Sequence, residues 1–204
     1  MASIKKMNLP NKLTLLRMII VVLIITIFLF PYDIFNIPVL TFTFLGKEFT
    51  IVRIIVLILF IIGSVTDFLD GHIARKNNIV TTFGKFMDPI ADKLLVNTLF
   101  VMLAWNGEIH AIIPIIMISR DTIVDAVRLV MMDRKVVIAA SKLGKAKTVS
   151  QIVAIILMLI NNVPFNLISI PLAQIACYIA ALISLISGFD YFWKNKETLL
   201  EGVN

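Results

Sequence analysis

The sequence predicts an all-α integral membrane protein: six transmembrane helices behind a short N-terminal interfacial helix, forming one transmembrane domain over residues 1–204. Composition, the lengths of the apolar runs and the placement of the basic residues predict it. Hydrophobic residues make up 59% of the chain and charged residues 16%, with a mean hydropathy of +0.97; soluble domains are apolar over only about half their length. Apolar runs near the roughly 20 residues needed to cross a bilayer core occur at 15–32, 51–74, 86–106, 109–132, 145–163 and 167–193. Placing both termini and the segments 75–85 and 133–147 on one side gathers 17 of the 19 Lys and Arg residues on or toward that side, leaving Lys47 and Arg53. By the positive-inside rule that side is the cytoplasm.

Each element has its own signal. In the segment 8–17, Leu9, Leu13 and Leu16 fall at helical spacing opposite polar residues, the pattern of a helix lying in the membrane surface. The run 15–32 has the basic flank of a secretory signal in Lys5, Lys6 and Lys12. Arg17 interrupts its start and no small-x-small cleavage site follows Pro31, so the run reads as a retained helix. The connections 33–50, 105–110 and 161–166 are nearly uncharged and read as outer loops.

The second and third runs carry four aspartates. Asp67 and Asp70 are three apart at the cytoplasmic end of one helix, and Asp88 and Asp92 four apart near the start of the next. Each pair therefore shares a helical face. The short connection makes the helices antiparallel neighbours, so the two carboxylate faces can meet. A carboxylate near hydrocarbon costs at least about 2.5 kcal/mol, which makes such acids functional candidates. Hard oxygen donors without cysteine or well-placed histidine suit Mg2+ or Mn2+. Two such ions about 4 Å apart clamp a phosphate for in-line displacement. Gly71 and Ala74 allow close approach to the backbone, Arg75 offers a fork of donors matched to phosphate, and Gly84 lies one turn before Asp88.

The fourth run holds Arg120, Asp121, Asp125 and Arg128, too polar to face lipid, and Lys142, Lys145 and Lys147 open the fifth. Two accounts stay open here. The charges of the fourth run can pair with one another inside the bundle, or Arg120 and the three lysines can bind a second phosphate. The single Cys177 excludes an intrachain disulfide and reads as a small buried residue. A net charge of +6 on a chain with no aromatic-basic alternation points to a membrane surface and anionic substrates, with no nucleic-acid partner.

The pattern D-x2-D-G-x2-A-R-x8-G-x3-D-x3-D, matched at every fixed position from Asp67 to Asp92, resembles the signature of the CDP-alcohol phosphotransferases. The resemblance implies a six-helix membrane enzyme that transfers a phosphatidyl-type group from a CDP-linked lipid to an alcohol and releases CMP. It implies Asp67, Asp70 and Asp88 as ligands of two divalent ions, with Asp92 beside them as general base, and CDP contacts from Gly71, Ala74, Arg75, Gly84 and Thr81. Asn8-Leu-Pro-Asn11 with Thr14 and Arg17, the run from Gly144 to Thr148 with Gln151, and Ser187-Gly188 with Tyr191 and Lys194 are similar to the branch that forms phosphatidylglycerol phosphate. That adds Asn11 and Thr14 to the CDP-lipid site, makes CDP-diacylglycerol and glycerol 3-phosphate the substrates, and implies a homodimer. Asp121 departs from the glutamate expected after the arginine. Cardiolipin, phosphatidylinositol phosphate and phosphatidylserine synthases share the aspartates. A divalent-cation transporter is the alternative of another class, although its acids belong near the midplane.

Overall fold

The computed structural model describes residues 8–76, 82–133 and 142–200. Among them the helices are α1 (Leu9–Leu29), α2 (Ile51–Lys76), α3 (Thr82–Trp105), α4 (Ile112–Asp133), α5 (Lys142–Leu159) and α6 (Leu172–Leu200); a hairpin of β1 (Thr41–Phe44) and β2 (Lys47–Thr50) stands between α1 and α2. The protein is thus mostly helical. Among the described residues, α1 and Leu172–Lys196 of α6 are long and apolar enough to cross a membrane. The contacts divide the chain into two compact units, Met1–Leu99 with Leu159–Ile170, and Phe100–Met158 with Pro171–Asn204.

In the first unit α1 packs on α2. The Asn8 side chain caps α1 by accepting from the Asn11 N–H at 3.2 Å, and Pro10 sits in the first turn, where its missing N–H leaves no bond unmade. Helix α1 then runs unbroken to Leu29, so the expected separate interfacial helix over 8–17 is instead the first half of α1. The reason is its amphipathicity, which is inverted relative to a surface helix. Asn11, Thr14 and Arg17 are buried in line with Ile20, Val21 and Ile24, while Leu9, Leu16, Ile19 and Val22 are exposed. An apolar outer face and a polar inner one fit a helix whose solvent is hydrocarbon.

Helix α2 approaches its neighbours closely at Gly63. A Cβ there would stand 2.7 Å from Leu95 Cδ2, so α3 presses on a position that only glycine fits without displacement, while Ile20 Cγ2 of α1, at 3.7 Å, would be in ordinary contact. The hairpin, where a plain loop was expected, turns through Leu45 and Gly46, both at positive φ (47° and 74°), the two-residue turn that suits antiparallel strands. Phe42 pairs with Phe49 and their rings stack at 5.7 Å. Asn166 and Asn161 donate to the Leu45 and Glu48 carbonyls at 2.7 Å each, and Arg53 Nε donates to the Leu159 carbonyl at 3.0 Å.

In the second unit α4 and α6 pack along most of their length. Arg120 meets Ser187 and Arg128 meets Tyr191, contacts that advance along both helices together, so the pair runs parallel. The buried positions of α6 are Ala173, Cys177, Ala180, Ala181, Ser184, Ser187 and Tyr191; those of α4 include Ile113, Met117, Asp121, Val124, Val127 and Met131. Both sets recur mainly at three- and four-residue steps, along one helical face. Small residues on α6 receive larger ones from α4, as close packing of membrane helices requires.

Candidate active site

Two carboxylates of the signature, Asp67 and Asp88, are met by α1. Asp67, on α2, forms an ion pair with Arg17, Nη1 to Oδ1 at 2.9 Å; the arginine side chain is fully buried, whereas that of Asp67 keeps 38% of its surface exposed. One turn earlier on the same face of α1, the Thr14 hydroxyl lies in short hydrogen-bond contact with Asp88 Oδ1 on α3, and also 3.1 Å from the Pro10 carbonyl. A hydroxyl has one proton, so Thr14 donates to one of these oxygens at a time. Asp88 is near enough for its charge to act on Asp67. Two carboxylates from two helices are thus both held from one face of α1.

Asp92 lies one turn beyond Asp88 on α3, which stays helical through Pro89, and Gly84 is buried one turn before it. Asn11 is buried on the first turn of α1. The side chains of Asp70, Gly71, Ala74 and Arg75 lie outside the described residues, although their backbone belongs to α2; Thr81 lies outside them altogether. Among the described residues no group of three or more carboxylate, histidine or cysteine side chains is placed to hold a metal. The Asp67 and Asp88 oxygens, held at successive turns of α1, are nonetheless the donor type that a hard divalent ion takes, so the residues present fit one.

The second cluster lies within the other unit. Asp121 Oδ1 accepts from Arg120 Nη1 at 3.0 Å and from Lys147 Nζ at 2.5 Å, and the three side chains are 5–11% exposed. Arg120 Nη2 donates to Ser187 Oγ at 2.7 Å, while its Nε is buried with no hydrogen-bond partner. Gly188 makes room for this arginine: a Cβ there would lie 2.8 Å from Arg120 Cγ. Arg128 donates instead to the Tyr191 hydroxyl at 3.3 Å and lies over its ring. The structure therefore joins Arg120 and Lys147 through one shared carboxylate, as the internal-pairing account expected of Arg120, and the pair keeps an excess of one positive charge. Lys142 and Lys145 are exposed on the first turn of α5, and Lys147 turns inward.

Sequence reasoning placed Arg17 only as an interruption of an apolar run and as part of a resemblance. Its three-residue step from Thr14 was the available signal, because it puts both on one face with Asn11. Ser187 entered likewise only as part of the resemblance, and its contact with Arg120 had no signal of its own, since a serine on an apolar helix face is ordinary.

A family model, CDP-alcohol phosphatidyltransferase, matches residues 7–186. The chain belongs to the CDP-alcohol phosphatidyltransferase family. Among curated members of this family, a CDP-diacylglycerol–glycerol-3-phosphate 3-phosphatidyltransferase of Bacillus subtilis is 42% identical over 193 residues, covering 94% of this chain and 97% of its own. Proteins of the same name from Rickettsia bellii and Haemophilus influenzae are 36% and 34% identical; they cover 93% and 97% of this chain, and 96% and 98% of their own.

Proposed function

We propose that the protein is a phosphatidyltransferase that moves the phosphatidyl group of CDP-diacylglycerol onto glycerol 3-phosphate, giving phosphatidylglycerol phosphate and CMP. The observation that carries this reading is similarity to enzymes of that name along nearly the whole of both chains, joined to an unbroken signature from Asp67 to Asp92. The working unit is one domain of six transmembrane helices in the cell membrane, both termini and the site facing the cytoplasm, assembled as a homodimer.

Asp67, Asp70 and Asp88 would hold the divalent ions, Mg2+ or Mn2+, with Asp92 at their edge. When bound, such ions neutralise the diphosphate and the charge that develops on the departing CMP. Gly71, Ala74, Arg75, Thr81 and Gly84, with Asn11 and Thr14, line the CDP-lipid site. Asp92 takes the proton of the attacking glycerol hydroxyl as its oxygen bonds to the phosphatidyl phosphorus and the phosphorus–oxygen bond to CMP breaks. Arg120, Lys142, Lys145 and Lys147 receive the phosphate of the acceptor. Asp121 keeps Arg120 and Lys147 together while the site is empty.

The test is an acceptor panel. Purified protein in detergent receives CDP-diacylglycerol with glycerol 3-phosphate, serine, inositol phosphate or phosphatidylglycerol, and the lipids are resolved by mass spectrometry. Phosphatidylglycerol phosphate is the expected product; turnover with another alcohol and none with glycerol 3-phosphate would sink the assignment.

A further inference from the structure

The buried guanidinium of Arg17 is a permanent cation set against a carboxylate that belongs to the site. Arginine does not lose its proton in a protein, and burying an ion without a partner is costly. Thr14, one turn before Arg17 on the same face of α1, holds Asp88, so α1 gathers two like charges from α2 and α3 at successive turns. Arg17 offsets the charge of Asp67, while the exposed part of that carboxylate remains open to a second cation. Helix α1 can hold this geometry because it is capped at Asn8 and anchored in the core by Ile20 and Ile24.

We propose that Arg17 is the built-in counter-ion of the Asp67–Asp88 pair, a positioning residue that holds the carboxylates in readiness before the divalent cation binds and limits how tightly they take it. The proposal rests on the metal-assisted reading above. Its physical content is a sign. Two carboxylates with one guanidinium carry a net charge of −1, and −2 without it. Loss of Arg17 therefore weakens the metal-free protein and strengthens its hold on a divalent ion. An arginine that merely packed would, on removal, weaken both.

The test uses the full chain in detergent, with Mn2+ affinity read by electron paramagnetic resonance of the free ion and stability read by thermal unfolding in EDTA and in Mn2+. Arg17→Gln should unfold at a lower temperature than wild type in EDTA, bind Mn2+ on the order of tenfold more tightly, as expected for one nearby charge, and recover most of the lost stability when Mn2+ is added. Arg17→Lys, which keeps the charge, should stay near wild type in affinity. Equal or weaker Mn2+ binding by Arg17→Gln overturns the proposal. Folding only with Mn2+ present supports it in stronger form, and failure to fold in either condition assigns Arg17 to structure alone. Wild-type protein that binds no Mn2+ overturns this inference and the metal-assisted reading together, whereas normal wild-type binding with an unchanged variant overturns only the inference.

Discussion

Replacing Asp121 by asparagine removes the one charge that Arg120 and Lys147 share. Both bonds end on the same oxygen, at 3.0 and 2.5 Å, and none of the three side chains is more than 11% exposed, so solvent screens the interaction little. Breaking a buried pair by deleting one partner costs about 3–5 kcal/mol, because the remaining charge is left uncompensated. Here two cations are left, but the asparagine oxygen still accepts one hydrogen bond, which places the expected loss near the lower end, about 3 kcal/mol. Equilibrium unfolding in mixed micelles should report it. The same variant should gain more from glycerol 3-phosphate than wild type does, since loss of the carboxylate makes the cluster one charge more positive toward an anion. At about one hundred times its dissociation constant the ligand contributes about 2.7 kcal/mol. A loss below about 1 kcal/mol, or a stabilisation by glycerol 3-phosphate no greater than that of wild type, would refute the assignment of this cluster to the acceptor's phosphate.

Gly188→Ala should push Arg120 off α6, costing about 1–3 kcal/mol of stability and raising the KM for glycerol 3-phosphate with little change in that for CDP-diacylglycerol; steady-state kinetics with each substrate varied separates the two. Thr14→Val keeps the volume but removes the donor to Asp88, so turnover should fall about tenfold or more at limiting Mg2+, a change of about 1.4 kcal/mol, and Thr14→Ser should restore it. Lys145→Ala, on an exposed turn, should leave unfolding within about 0.5 kcal/mol of wild type and raise the requirement for glycerol 3-phosphate, as an acceptor titration will read.

The helices were legible because period and length were unambiguous. The run at 51–74 became Ile51–Lys76 and that at 109–132 became Ile112–Asp133, each within a few residues. The beginning of α1 was misread for a physical reason: the rule that polar residues face out is reversed when the outside is lipid, so Leu9 and Leu16 marked the exposed side. The hairpin escaped because its turn is Leu45-Gly46, and leucine at positive φ departs from the asparagine or aspartate that ordinarily announces such a turn. In the proposed site, the spacing of Asp67, Asp70, Asp88 and Asp92 was legible as two pairs, each on one helical face. Spacing within one helix cannot convey which residue of another helix will meet it, and both Arg17 on Asp67 and Lys147 on Asp121 are of that kind.

The most direct test of the central claim, that these aspartates carry a metal-assisted phosphatidyl transfer, is simultaneous measurement of CMP and lipid product. Wild-type protein given CDP-diacylglycerol, glycerol 3-phosphate and Mg2+ or Mn2+ should form CMP and phosphatidylglycerol phosphate in equal amounts, stop in EDTA and resume when the ion is returned, while Asp88→Ala should form neither. Equal product in EDTA, or CMP released without a matching lipid, would contradict it.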